Sequence, residues 1–89
     1  LSEPTKWTQS ARARDKENRV IHPTSHKAVC WCLEGAIIKC YPPIQWERIE
    51  KQLLVSINNN RVRKYKDVTV FNDVSSYRSV MKVVNKANV

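Results

Sequence analysis

Glycine is almost missing from this sequence: Gly35 is the only one in 89 residues. A phosphate-cradling loop or a G-x-G-x-x-G turn is therefore excluded. Acidic residues are scarce as well, eight Asp and Glu against sixteen Lys and Arg, and no paired-carboxylate motif stands out. The three cysteines are an odd number, and their spacing does not suit a disulfide scaffold. No apolar run nears the roughly 18 residues that span a bilayer. No basic, apolar and small-residue leader pattern opens the chain. These absences point to a cytoplasmic protein that does not enter a membrane. Internal repeats, low-complexity tracts, helix-turn-helix and zinc-finger signatures are all missing too.

What is present suits one small domain over residues 1–89, with 1–6 as a loose start. Hydrophobic residues make up 42% and aromatics 8%, enough for one modest core in a chain that buries about 60–65% of its unfolded surface. The net charge is +8. Such an excess favours an anionic partner: nucleic acid, an acidic protein surface or anionic lipid. The competing reading is solubility alone.

The pattern predicts an α+β, mainly helical fold, with an N-terminal hairpin or extended arm packed on a three-helix core. In "KWTQSARARD", Trp7, Ala11 and Ala13 alternate with Thr8, Ser10, Arg12 and Arg14, which suggests a half-buried strand. Gln9 breaks the pattern. "DKEN" supplies a turn, and "RVIH" can pair back; a helix over 5–14 is the alternative. A helix is expected over 25–41, capped by Thr24 or Ser25 and stopped by Pro42 and Pro43. The next, over 43–58, opens on Pro43. It carries Trp46, Ile49, Leu53 and Ile57 as its apolar stripe, Glu47 and Lys51 as an outer ion pair, and Asn58 to Asn60 as its end. Val68 to Val70 favours an extended piece. A last helix over 75–87, capped by Ser75 or Ser76, turns Tyr77, Val80, Met81 and Val84 inward.

The segment "AVCWCLEGAIIKC" poses a choice between a metal site and a tight helix. His22, His26, Cys30, Cys32 and Cys40 crowd together. In a helix, however, Cys30 and Cys32 point about 200° apart, and one zinc needs its sulfurs within roughly 2.3 Å. Cys32 and Cys40 are about 12 Å apart along the axis, too far for a disulfide. Reduced, metal-free cysteines are expected. Ala28, Cys32, Ala36 and Cys40 then form a lengthwise row of small side chains beside Gly35. A neighbouring helix, or the ring of Trp46 or Trp7, can approach closely there. Lys27, Trp31, Glu34 and Ile38 share the opposite face. Trp31 and Ile38 are either covered by the arm or left as a contact patch.

Across most of the chain the residues resemble a family of small bacterial and bacteriophage proteins known as a domain of unknown function. Its pattern is W-T-x-G-A-x-A-R-D, then C-L-x-G-A, then W-N-D before a helix. The matching residues here are Trp7, Thr8, Ala11, Ala13, Arg14 and Asp15, then Cys32, Leu33, Gly35 and Ala36, then Asn72 and Asp73. Ser10 replaces the expected Gly, and Phe71 the expected Trp. The resemblance implies a small helical domain with an extended N-terminal part and a phage or bacterial setting, with no activity attached.

The function expected from these residues is a non-enzymatic binding module that needs no cofactor and takes no small-molecule substrate. Arg61, Arg63, Lys64 and Lys66 surround Tyr65 within six residues. Arg78, Lys82 and Lys86 recur at steps of four, and Arg12 with Arg14 adds a third pair. Cations contact phosphates, and a nearby Tyr can stack on an unpaired base. The alternative is an inhibitor, adaptor or assembly factor acting on an acidic bacterial protein, through the basic face or through Trp31 and Ile38. A third reading pairs Cys30 with His22 or His26 as a nucleophile, oriented by Asn72 and Asp73.

Overall fold

The computed structural model describes residues 1–88. Among them are two short strands, β1 (Ala13–Arg14) and β2 (Cys30–Trp31), followed by four α-helices: α1 (Leu33–Cys40), α2 (Pro43–Asn58), α3 (Val68–Val74) and α4 (Tyr77–Ala87). The architecture is α+β and mainly helical. The strands pair antiparallel, Ala13 opposite Trp31 and Arg14 opposite Cys30.

Helix α2 follows its sequence pattern most closely. Pro43 occupies the first turn, where a missing N–H costs nothing. Ile49, Leu53 and Ile57 are buried at steps of four, and Trp46 is half-buried. The Trp46 indole donates to the Tyr41 carbonyl at 2.8 Å, which fixes the Pro42–Pro43 corner between α1 and α2. Glu47 and Lys51 pair at 3.1 Å. Their exposure limits that pair to at most about 1 kcal/mol. Beyond α2, Asn60 adopts φ 63°, a left-handed conformation that Asn tolerates. The Asn58 side chain then holds the returning loop by bonding both the N–H and the carbonyl of Tyr65.

Helix α4 runs back along α2. Ser56 donates to the Val83 carbonyl at 3.1 Å, and Gln52 to the Ala87 carbonyl at 3.5 Å. The Ser76 hydroxyl accepts the Ser79 N–H at 3.2 Å as the N-cap. Val80 and Val83 are the buried pair, with Tyr77, Met81 and Val84 half-buried. The inner face is thus rotated slightly from the expected one. The core joins Leu33, Ile37, Ile49, Leu53, Ile57, Val68, Phe71, Val80 and Val83.

Two expected elements differ. The helix expected over 25–41 exists only in its second half. Residues 22–28 form turns, with Ser25 N–H bonded to the His22 carbonyl and Ala28 N–H to that of Ser25. Cys30 and Trp31 are taken up by β1, and the Val29 and Cys32 N–H groups donate to the Arg14 and Arg12 carbonyls. Pairing with a distant segment overrides local helix propensity here. Cys32, rather than Thr24 or Ser25, is the N-cap, its sulfur accepting the Gly35 N–H at 3.3 Å. The second difference is residues 68–70, which open α3 instead of lying extended. The Asp67 carboxylate accepts the Val70 N–H at 2.9 Å, and this cap outweighs the β preference of Val and Thr.

The arm over 1–32 is only partly a hairpin. Strand β1 lies between two partners: β2 on one side, and on the other residues 20–21, where Val20 bridges Arg14 and the Ile21 N–H donates to the Ala13 carbonyl. The expected alternation over 7–14 survives at Ala13, which is fully buried, and fails around Ser10, whose φ is 62°. No helix forms over 5–14 beyond one 3-10 turn, Pro4–Lys6. The start is tied down, since Leu1 packs against the core and its carbonyl accepts the Tyr77 hydroxyl at 2.6 Å.

Gly35 explains how the arm meets α1. A Cβ built there would sit 1.8 Å from the Arg12 carbonyl oxygen. The close approach anticipated at this glycine is real, and its occupant is the arm's backbone rather than a helix or a Trp ring. Ala28 lies outside α1, so the row of small residues shortens to Cys32, Ala36 and Cys40.

Candidate anion-binding groove

The packing of α4 on the last turns of α2 leaves a hollow of about 300 Å³, lined by Ser56, Ile57, Asn59, Arg61, Ser79, Lys82, Val83 and Lys86. Two further hollows lie nearby. One is lined by Gln52, Val55, Ser56, Asn59, Lys86 and Ala87. The other is lined by Lys51, Leu54, Val55, Asn58, Asn59, Asn60 and Lys64. The first two share Ser56, Asn59 and Lys86 and together make the groove between α2 and α4, whereas the third lies on α2 and the following loop, with no α4 residue in its lining. Among the described residues, the walls of the α2–α4 groove carry Arg61, Lys82 and Lys86 and no carboxylate, while Lys64 and the Glu47-paired Lys51 line the separate hollow.

Side-chain chemistry separates these cations. Arg61 donates to the Ile57 carbonyl at 2.6 Å, and its guanidinium lies 5.2 Å from the Tyr65 ring centre and 5.6 Å from that of Phe71. Lys64 donates to the Asn58 carbonyl at 2.9 Å. Both satisfy carbonyls that the end of α2 leaves without helical partners. Lys82 and Lys86 stand exposed on α4, one turn or about 6 Å apart. Arg78 precedes them by another turn and is exposed too. Arg63 and Lys66 are exposed on the loop between α2 and α3. Among the described residues, none of these five forms an ion pair with a side-chain carboxylate.

Four acidic side chains lie near one another elsewhere. Glu50 is pushed above the usual carboxylate range, first by burial and then by Glu34, with Asp67 and Glu47 adding to the effect. None of these four carboxylates lines the groove.

The structure brings together only part of the residue set expected from sequence. Arg61, Lys82 and Lys86 meet at the groove, and Lys64 lines the separate hollow at the end of α2. Arg12 instead pairs with Glu34 at 3.1 Å. Arg14 staples the arm through Thr8, Gln9 and Asn18. Tyr65 is half-buried, set edge-on to Phe71 at 5.3 Å with Arg61 over its face, so the ring expected to stack on a base is already occupied. Trp31 lies in β2 and shares no helical face with Ile38. Both are half-buried, and the Trp31 indole donates to the Pro23 carbonyl at 2.9 Å. Ser56, Asn59 and Ser79 had no sequence signal, because the groove exists only once α2 and α4 pack.

The Cys and His residues are dispersed. Cys30 stands in β2 and Cys32 at a cap, so the helical angle between them does not apply. Cys32 is buried, and burial pushes its thiol up from the usual range. The Cys30 thiol is directed at the Arg14 carbonyl, 3.9 Å away. Cys40 is exposed, and none of the three is in a disulfide. His22 accepts the Thr24 N–H at Nδ1. Among the described residues, no group of three or more His, Cys, Asp or Glu is placed to hold a metal. No helix of the described residues is long and apolar enough to cross a membrane.

Asn72 ties the arm to the helices. It is fully buried. Its Oδ1 accepts the Trp7 indole N–H at 2.7 Å and the first N–H of α1, from Leu33, at 3.1 Å. Its Nδ2 donates to the Thr8 carbonyl at 3.0 Å. Beside it, Asp73 accepts the Ser10 N–H at 2.9 Å, and the Gln9 side chain donates to the carbonyls of Asn72 and Ser75. Asp15 closes the arm's turn by accepting the N–H groups of Glu17 and Arg19. Compared with family models, curated proteins and solved structures, the chain matches none.

Proposed function

We propose that this chain is a non-enzymatic binding module whose α2–α4 groove docks on an anionic macromolecule. The observation that carries the reading is the groove itself: Lys82, Lys86 and Arg61 line it together with hydroxyl and amide side chains and, among the described residues, no carboxylate. Uncompensated charge in a concave surface concentrates a polyanion there. The absence of enzymatic chemistry is part of the proposal. It is supported by the Cys30 thiol, which is directed at the Arg14 carbonyl, and by the structural bonds that occupy His22, Asn72 and Asp73.

The resemblance to the phage and bacterial family enters here as a proposal as well. Its pattern residues meet in one place, through Trp7, Thr8, Asn72, Asp73, Leu33 and Gly35. The left-handed φ of Ser10 supplies a physical reason for glycine at that position of the pattern. On this reading the pattern preserves the junction of arm and helices, and the groove residues lie outside it.

An acidic protein is the second candidate partner. Val55 favours it, being 74% exposed at the groove's edge.

Retention on immobilised heparin tests the reading. The Lys82→Glu/Lys86→Glu variant is expected to elute at clearly lower salt than Lys16→Glu/Lys27→Glu, which changes net charge equally but outside the groove. Equal shifts would mean that total charge alone acts, and would overturn the proposal. The lysine pair is a cleaner probe than Arg61 with Arg63 and Lys64, because Arg61 and Lys64 also support the end of α2.

A further inference from the structure

Resting on that reading, we infer that the anionic partner is a nucleic-acid duplex, gripped by its phosphates without readout of base sequence. The first support is a row of cations. Arg78, Lys82 and Lys86 are all exposed on one rigid helix and span about 12 Å, roughly the axial length of three to four phosphates of one strand at about 3.4 Å each. Exposed Lys64, Arg63 and Lys66 around the α2–α3 loop extend the positive surface beyond the groove that Arg61 lines.

The second support is what lines the groove between the cations. Ser79 and Asn59 are there, side-chain types that bond phosphate and sugar oxygens, whereas the Ser56 hydroxyl is taken up by the Val83 carbonyl. Among the described residues, no aromatic lines it. Single-strand binders obtain about 1–3 kcal/mol per base from aromatic stacking, and the aromatic nearest in sequence, Tyr65, packs on Phe71 beneath Arg61. Protein interfaces anchor on buried aromatics and Arg in pockets. This groove offers no aromatic, and its one Arg is bound to the Ile57 carbonyl. A duplex, which presents dense charge and hides its base faces, is the occupant that asks for least beyond cations. Lys82 and Lys86, the row's two groove-lining cations, are point charges suited to phosphates rather than planar forks, hence the lack of sequence readout.

Fluorescence anisotropy tests this with a labelled mixed-sequence 20-base-pair DNA duplex, a second duplex of shuffled sequence and one strand alone, across a salt series. Both duplexes are expected to bind equally and more tightly than the strand. The parent's log–log salt slope should lie near −3 to −5, at about −0.9 per phosphate contact. Lys82→Ala/Lys86→Ala should flatten that slope by about 1.8, two contacts at about 0.9 each, while Lys16→Ala/Lys27→Ala leaves it unchanged. Circular dichroism melts of both variants should match the parent. Tighter binding to the strand, a marked preference between the duplexes, or equal loss in both variants would overturn the inference. If neither DNA binds but heparin does through Lys82 and Lys86, the duplex is wrong and the polyanion groove stands. If nothing binds at low salt, both fall.

Discussion

The arm and the helical part of this molecule are held by different forces. All nine residues of the buried apolar cluster lie in α1 to α4. The arm adds the buried Ala13 and Cys32 and the partly buried Leu1 and Trp7. Its attachment is otherwise polar: Asn72, Gln9 and Asp73 bridge segments more than sixty residues apart, and the Arg12 backbone lies against a bare glycine. Apolar burial scales with area and tolerates imprecision, whereas a hydrogen-bonded junction is strict. Each buried bond contributes only about 1 kcal/mol net, yet an unmatched partner costs about 1–3 kcal/mol.

Gly35 should therefore be the most sensitive position. Gly35→Leu is expected to abolish cooperative folding, because the backbone atoms at 1.8 Å cannot move aside without lifting the arm off α1. Gly35→Ala should also destabilise, by at least about 1–3 kcal/mol, although Ala gains about 1 kcal/mol in helix propensity. Thermal melts measure this. An unchanged Tm for either would mean the arm does not sit on α1.

The next effects should separate the two regions. Leu53→Ala removes a buried core side chain and should cost about 2–5 kcal/mol, accelerating amide exchange everywhere. Asn72→Ala should cost about 2–4 kcal/mol from its lost buried bonds and small cavity. The Asn72 change should release the Thr8 and Cys32 amides before those of α2. If both variants speed exchange uniformly, arm and helices unfold as one unit and the contrast fails.

The smallest effects concern charge. Asp15 is held below the usual carboxylate range, chiefly by the Arg19 backbone N–H. Its stabilisation is complete above the unfolded value of about 3.9 and is lost as pH falls through the lower folded value. Asp15→Asn should thus be less stable than the parent at pH 7, with the gap closing below about pH 4. Glu50 has the opposite sign, being raised by burial and then by Glu34. Its charged form opposes folding at neutral pH, and this cost disappears as pH falls through the folded value towards about 4.3. Glu50→Gln should raise Tm at pH 7 by no more than about 2–4 °C, a gain absent by about pH 4. Parallel Tm curves for parent and variants from pH 3 to 7 would contradict both assignments.

The helical part was largely legible in the sequence. Pro43, the steps from Ile49 to Ile57 and the asparagines bound α2, and a serine cap with its apolar stripe marks α4. Gly35 was legible as a place of close approach. Residues 25–32 were not, because what removes them from a helix is pairing with β1, some sixteen residues away. Asn72 carries no local sign of its role, since its partners Trp7 and Leu33 are remote in sequence. The groove was half legible: the basic tracts could be read, but their convergence depends on how α4 lies along α2. That packing also leaves Arg12 and Arg14 with structural work elsewhere.

The central claim is that the anionic partner docks in the α2–α4 groove. Titrating the isotope-labelled protein with a short heparin oligosaccharide, followed by amide chemical shifts, tests it most directly. The account predicts graded, salt-sensitive shifts at Ser56, Asn59, Arg61, Ser79, Lys82 and Lys86, with Arg12, Arg14, Trp31 and Ile38 unmoved. Shifts confined to the latter four, or none at low salt, would contradict it.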